Sequence, residues 1–185
     1  VTAKHVLVYN EPGRFAGWPA NNGVWIWGNE ILVGFHQGDY VPKDCSHSIG
    51  GNGRSLLARS LDGGETWSVS EAGYPDGELK PFPTDIAFDA SGFALNARGD
   101  TAFISLDRGR TWNGPLRLPF ADLHLRARTD YQVLGPKDLI LFLTAQKTND
   151  REGRPFCART RTGGKYWNQF AWIGPEPSSG YSIMP

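Results

Sequence analysis

One short pattern occurs three times in this chain and constrains its fold more than any other feature. Ser60-Leu61-Asp62-Gly63-Gly64-Glu65-Thr66-Trp67 reads S-x-D-x-G-x-x-W, and Ser105-Leu106-Asp107-Arg108-Gly109-Arg110-Thr111-Trp112 repeats it in full. Thr160-Arg161-Thr162-Gly163-Gly164-Lys165-Tyr166-Trp167 is a worn third copy, with Thr162 in place of the Asp. The copies begin 45 and then 55 residues apart. Self-similarity at such a period marks an array of repeated supersecondary units, a propeller or a solenoid. The chemistry of the pattern is that of a hairpin turn. An Asp carboxylate accepts hydrogen bonds from backbone N–H groups inside the turn, Gly supplies a positive φ, and the Trp opens the next strand and packs beneath the turn.

Composition agrees with many short strands. The chain has 23 Gly and 13 Pro to punctuate it, and 23 aromatic residues (7 Trp, 10 Phe, 6 Tyr) to fill its layers. Lys+Arg and Asp+Glu both number 19, which argues against a nucleic acid held by bulk charge. No apolar run reaches membrane-spanning length. Cys45 and Cys157 are too few for a disulfide framework and read as free thiols. His36 and His47 stand eleven apart with no accompanying ligand spacing, so neither a metal nor any other cofactor is expected.

Strand candidates fall into groups of four, each holding one copy of the pattern. The first is 24–28, 31–36, 55–60 and 66–70; the second 84–88, 92–98, 101–105 and 111–116; the third 131–134, 139–145, 156–161 and 166–173. Turn residues separate them and no long helical period intervenes. Thr2–Tyr9 reads as one further strand. The expectation is an all-β chain, 1–185, forming a single partial propeller. Its blades cover about 22–71, 84–116 and 129–173, and 174–185 opens a further blade.

The repeated motif resembles the Asp-box, or BNR repeat, of sialidase-like β-propellers, and stretches of the whole chain resemble the N-terminal half of bacterial members grouped broadly with glycoside hydrolases. The resemblance implies a propeller of the six-bladed sialidase type, with about three four-stranded blades present. It also implies an exo-sialidase-like hydrolase acting on terminal, anionic sugars of glycans, in a secreted or periplasmic bacterial protein. Unclosed blade faces would invite self-association.

Strand parity then locates the site. The Asp-box joins the third and fourth strands of a blade, so the loops joining second to third strands, and blade to blade, lie at the opposite end. In propellers that end surrounds the channel mouth. Arg14, in Gly13-Arg14-Phe15-Ala16-Gly17-Trp18-Pro19, resembles a stretched form of the family's Arg-x-x-Pro signature, whose Arg binds a substrate carboxylate through its planar fork. Pairing of Arg14 with a nearby Asp is the competing role. The loop 37–54 is where the family draws its general acid, and Asp39 and Asp44 are both candidates, with His47 able to do the same work near neutral pH. His124, Arg126 and Arg128 alternate and share a face if extended. Arg128, Asp130 and Tyr131 are expected to line a pocket for an anionic or hydroxyl-rich ligand, an Arg128–Asp130 ion pair being the alternative. Arg98 adds a cation at the channel mouth, and Trp18 can stack on a sugar ring. The chain has His36-Gln37-Gly38-Asp39 where the family has Glu-Gly-Arg. That departure favours the second reading of the whole, a carbohydrate-binding or scaffold propeller without catalysis.

Overall fold

A computed structural model describes residues 3–44, 46–120, 122–149 and 151–183. Cys45 and the end of the expected further blade, Met184 and Pro185, lie outside the described residues. The fold is all-β, 44% strand and 2% helix, in several sheets that are antiparallel almost throughout, none of them closed. The chain divides into two compact units, Val1–Gly73 and Tyr74–Pro185. No helix among the described residues is long and apolar enough to cross a membrane.

The first unit is one sheet. It contains β1 (Arg14–Gly17), the single-turn α1 (Pro19–Asn22), β2 (Val24–Trp27), β3 (Glu30–Asp39), β4 (Arg54–Ser60) and β5 (Ser68–Glu71). The ten-residue β3 is its spine. One edge of β3 carries β4, and the other is shared by β2 on its first half and β1 on its second. Both edges of β3 are therefore occupied, and the strand expected over Thr2–Tyr9 does not form in its described part. Its described part is irregular, and Val8 and Tyr9 lie over the small core of Phe35, Leu56 and Ala58. The expected loop 10–23 also contains β1, which forms because Arg14–Gly17 meets the free second half of β3.

The second unit holds two sheets. In the first, β6 (Lys80–Pro81), β7 (Ala94–Arg98), β8 (Thr101–Ser105) and β9 (Asn113–Arg117) lie in the order β6-β9-β8-β7, with the two-residue β6 parallel to β9. In the other, β10 (His124–Leu125), β11 (Tyr131–Gly135), β12 (Asp138–Gln146), β13 (Gly153–Thr160) and β14 (Asn168–Trp172) gather around β12 and β13. A shared core joins the two sheets, with Leu95, Leu116, Leu139, Leu141, Leu143 and Phe156 all at most 2% exposed. Cys157 is a free, buried thiol.

The expected strand 84–88, the first of the second group, is absent. Its backbone is engaged elsewhere: Ile86 N–H donates to Gly163 O at 2.9 Å and Phe88 N–H to Pro136 O at 2.8 Å. Asp85 sits at φ 66°, outside strand geometry, and Lys137 Nζ bonds its carbonyl at 2.8 Å. The glycines of the third turn make room for this segment. A Cβ on Gly163 would come within 2.9 Å of Ile86 backbone atoms, and one on Gly164 within 2.7 Å of Pro83 O.

The three repeats are hairpin turns, as their chemistry requires. Asp62 Oδ1 accepts from the N–H groups of Glu65 (3.0 Å) and Thr66 (2.9 Å) and from Ser60 Oγ (2.7 Å), while Oδ2 accepts from Thr66 Oγ1 (2.6 Å). Ser60 Oγ accepts in turn from Gly64 N–H at 2.8 Å. Asp107 repeats every one of these bonds with Arg110, Thr111 and Ser105. The third copy keeps only half. Thr160 Oγ1 accepts from Gly164 N–H at 3.1 Å, and Thr162 offers one hydroxyl to Tyr166 N–H at 2.9 Å. Hydrogen bonds from Thr66 and Ser60 hold the Asp62 carboxyl far below the usual carboxylate range. For Asp107 burial acts upward, but the bonds from Thr111, Ser105 and Arg110 outweigh it and bring the carboxyl to about 2.

Two outcomes follow for stability. Asp107→Ala removes an acceptor shared by four donors and should lower unfolding free energy by about 1–3 kcal/mol in urea denaturation. Because the folded-state pKa of Asp107 is depressed from 3.8 to about 2, its contribution is present above pH about 4 and lost as pH falls toward 2. The Ala variant should lack that acid-dependent loss. Thr162→Asp restores the missing carboxylate to the third turn and should stabilise the protein by about 0.5–1 kcal/mol.

Candidate functional site

The turns fix which end of each sheet is which. Gly63 N–H donates to Asn29 O at 2.9 Å, bringing the first box to the β2–β3 turn, and Gly163 N–H donates to Lys137 O at 3.0 Å, bringing the third to the β11–β12 turn. The other ends carry the candidate residues, in two clusters.

In the first unit the cluster is built on the second half of β3. Arg14 lies opposite Asp39 across the β1–β3 ladder, and Gln37 lies opposite both Ala16 and Arg54. Strand alternation puts Arg14, Gln37, Asp39 and Arg54 on one face. Gln37, fully buried, is the hub. Its Oε1 accepts from Arg14 Nη2 at 2.8 Å and Arg54 Nε at 2.9 Å, and its amide donates to Tyr9 Oη at 2.8 Å and Glu11 Oε2 at 3.3 Å. Asp39 pairs with Arg14 Nη1 and accepts from Asn52 Nδ2 at 2.6 Å. Arg54 also pairs with Glu71 at 3.2 Å. A neutral acceptor thus sits between two guanidinium groups, with a carboxylate on the far side of each. Partial burial, then the hydrogen bond to Glu11, push the Tyr9 phenol up.

Trp18 belongs to the opposite face. It occupies the left-handed region at φ 58°, held by Asn22 Nδ2 donating to its carbonyl at 2.8 Å. Its ring lies 5.2 Å from Phe15, 6.0 Å from His36 and 5.0 Å, edge-on, from the exposed His47. A left-handed conformation is strained for so large a residue. The structure therefore brings Arg14 to Asp39 and Trp18 to His47, on two sides of one sheet. Asp44 is exposed at the tip of the 40–49 excursion, whose stem is closed by the Tyr40–Ile49 bridge.

In the second unit, residues 126–131 run between the two sheets. Toward β7, Gly99 and Ala127 exchange backbone hydrogen bonds, both 3.0 Å, Ala97 N–H donates to Thr129 Oγ1 at 3.0 Å, and Leu95 N–H donates to Tyr131 Oη at 3.3 Å. Toward β12, Arg126 N–H donates to Thr144 O at 2.9 Å and Phe142 N–H to Asp130 O at 3.0 Å. The backbone turns at Thr129, where Asp130 N–H donates to Arg128 O at 2.9 Å, so the segment is not a continuous strand. No ion pair joins Arg128 to Asp130 among the described residues; Asp130 is exposed, and the partial loss of water around its carboxyl raises its pKa. Arg98 ends β7 at the same end of this unit, its guanidinium 5.9 Å from the Tyr74 ring. Among the described residues no three His, Cys, Asp or Glu side chains assemble as metal ligands.

Sequence reasoning passes over three residues that organise these clusters: Gln37, Arg54 and Thr129. The signal for Gln37 is its phase. It continues the Val33, Phe35 face of an otherwise apolar strand, where an amide must find partners. Thr129 gives no such signal, because its partners on β7 are about thirty residues away. Comparison with protein-family models, curated proteins and solved structures returned no match.

Gln37→Leu leaves two guanidinium groups, a phenol and a carboxylate without their shared partner. The expected loss is about 2–4 kcal/mol of unfolding free energy in urea.

Proposed function

We propose that the three sheets are blades of a six-bladed, sialidase-type β-propeller, and that the protein is a glycoside hydrolase acting on terminal, anionic sugars of glycans. The observation that carries this reading is the placement of the arginines. At the end opposite the box turns, Arg14 and Arg54 stand side by side about Gln37, and Arg98 and Arg128 lie at the corresponding end of the other unit. A planar fork held by fixed acceptors is suited to a carboxylate. Pre-set hydrogen bonds to Gln37 and Asp39 lower the entropy cost of placing it.

A second reading, binding without hydrolysis, is favoured by one observation. The Asp39 carboxylate is already committed to Arg14 and Asn52, which suits an anchor for the arginine better than a proton donor. A panel of aryl glycosides, sialosides included, together with a glycan array decides between them. Turnover that falls at least about tenfold in kcat/KM in Arg14→Ala supports the hydrolase. Array binding that Arg14→Ala abolishes, with no turnover, supports the binding module. Neither binding nor turnover overturns both.

A further inference from the structure

The polar cluster of the first unit is held in part from outside its sheet. Segment 3–11 joins no strand, and residues 3–7 are exposed. It nevertheless lies against one face of the sheet from end to end. Lys4 pairs with Glu65 of the first box turn. Val8 and Tyr9 pack on the core of Phe35, Leu56 and Ala58. Glu11 O accepts from Arg14 N–H at 3.1 Å, so the segment leads directly into β1.

Where this segment meets β3 it fixes an amide. Gln37 is fully buried, so both polar atoms of its amide depend on protein partners. The oxygen accepts from Arg14 Nη2 at 2.8 Å and Arg54 Nε at 2.9 Å. The nitrogen donates to Tyr9 Oη at 2.8 Å and to Glu11 Oε2 at 3.3 Å. Only one orientation of the amide satisfies this set. Turned over, it would aim N–H groups at two guanidinium groups, which only donate, and its oxygen at a carboxylate, which only accepts. Tyr9 completes the arrangement. Its own O–H donates to Glu11 Oε2 at 2.6 Å, which leaves its oxygen to accept from Gln37.

Resting on the reading of Arg14 as the anchor for an anionic sugar, we infer that Tyr9 and Gln37 are positioning residues of that anchor and that segment 3–11 is part of the site. Neither residue touches the ligand. Tyr9 holds the Gln37 amide in the orientation that presents its oxygen to Arg14. That oxygen, together with Asp39 and Asn52 O, holds the Arg14 guanidinium in one pose. A guanidinium fixed beforehand loses less rotamer entropy when a carboxylate arrives, and the support around a binding group decides how well it is fixed. Without the phenol oxygen the Gln37 nitrogen keeps only its longer bond to Glu11, and both the amide and Arg14 gain freedom. The packing of the Tyr9 ring on Phe35, centroids 5.0 Å apart, does not depend on that oxygen.

Tyr9→Phe in the full chain tests this, because it removes one oxygen and keeps the ring. Titration calorimetry with the methyl glycosides of sialic acid and glucuronic acid should show binding weakened about 3–10-fold. If the protein turns such a glycoside over, KM should rise by the same factor with kcat unchanged. Side-chain ¹⁵N relaxation should report an Arg14 guanidinium that is rigid in the wild type and mobile in Tyr9→Phe. The Arg159 guanidinium, paired with Asp138 in the other unit, should be equally rigid in both and serves as the control for an intact fold. Wild-type binding that Tyr9→Phe leaves unchanged, or an Arg14 side chain as rigid in the variant as in the wild type, overturns the inference and leaves the anionic-sugar reading standing. A wild type that binds neither glycoside overturns both.

Discussion

A single carboxylate gathering the N–H groups of one turn is the interaction on which the rest of this structure depends. Asp62 and Asp107 each accept four hydrogen bonds within a span of seven residues. Those bonds close the hairpins β4–β5 and β8–β9, and so fix the direction in which each pair of strands runs. Direction decides which loops lie at which end. The polar clusters lie at the ends of the sheets away from these turns.

The third turn shows what happens when that interaction is weakened. With Thr162 in place of Asp, the local bonds are fewer, and tertiary contacts take over. Segment 83–86 settles onto Gly163 and Gly164, Ile86 donates to Gly163 O, and Lys137 reaches Asp85. The same contacts draw 84–88 out of the sheet it would otherwise extend. A turn that is worn in sequence is thereby supported by a neighbouring segment, at the cost of a strand.

The clusters differ in how they handle charge. In the first unit each cation is matched and the whole is organised around a buried amide, Gln37, so its charges are largely neutralised and its geometry is set before any ligand arrives. In the second unit the hydrogen-bonding capacity of Thr129 and Tyr131 is used on β7, and among the described residues no ion pair joins Arg128 to Asp130. Burying a neutral amide with all its partners is inexpensive, whereas an uncompensated carboxyl is tolerated only where water or a ligand can reach it.

The box turns, the alternation along the regular strands and, in the first unit, the sheet end that holds Arg14 and Asp39 are legible in the sequence. They rest on interactions within a few residues and on the period of two, and both are local. The separation of Arg14 from Trp18 onto opposite faces is not, because it depends on β1 joining β3, a pairing between residues 19 to 25 apart. The loss of strand 84–88 and the fastening of Thr129 to β7 are of the same kind. Local chemistry determined the turns and the strand phases of this protein. Only the tertiary structure decided which edges were paired and which side chains met, because edge pairing and burial are properties of distant segments brought together.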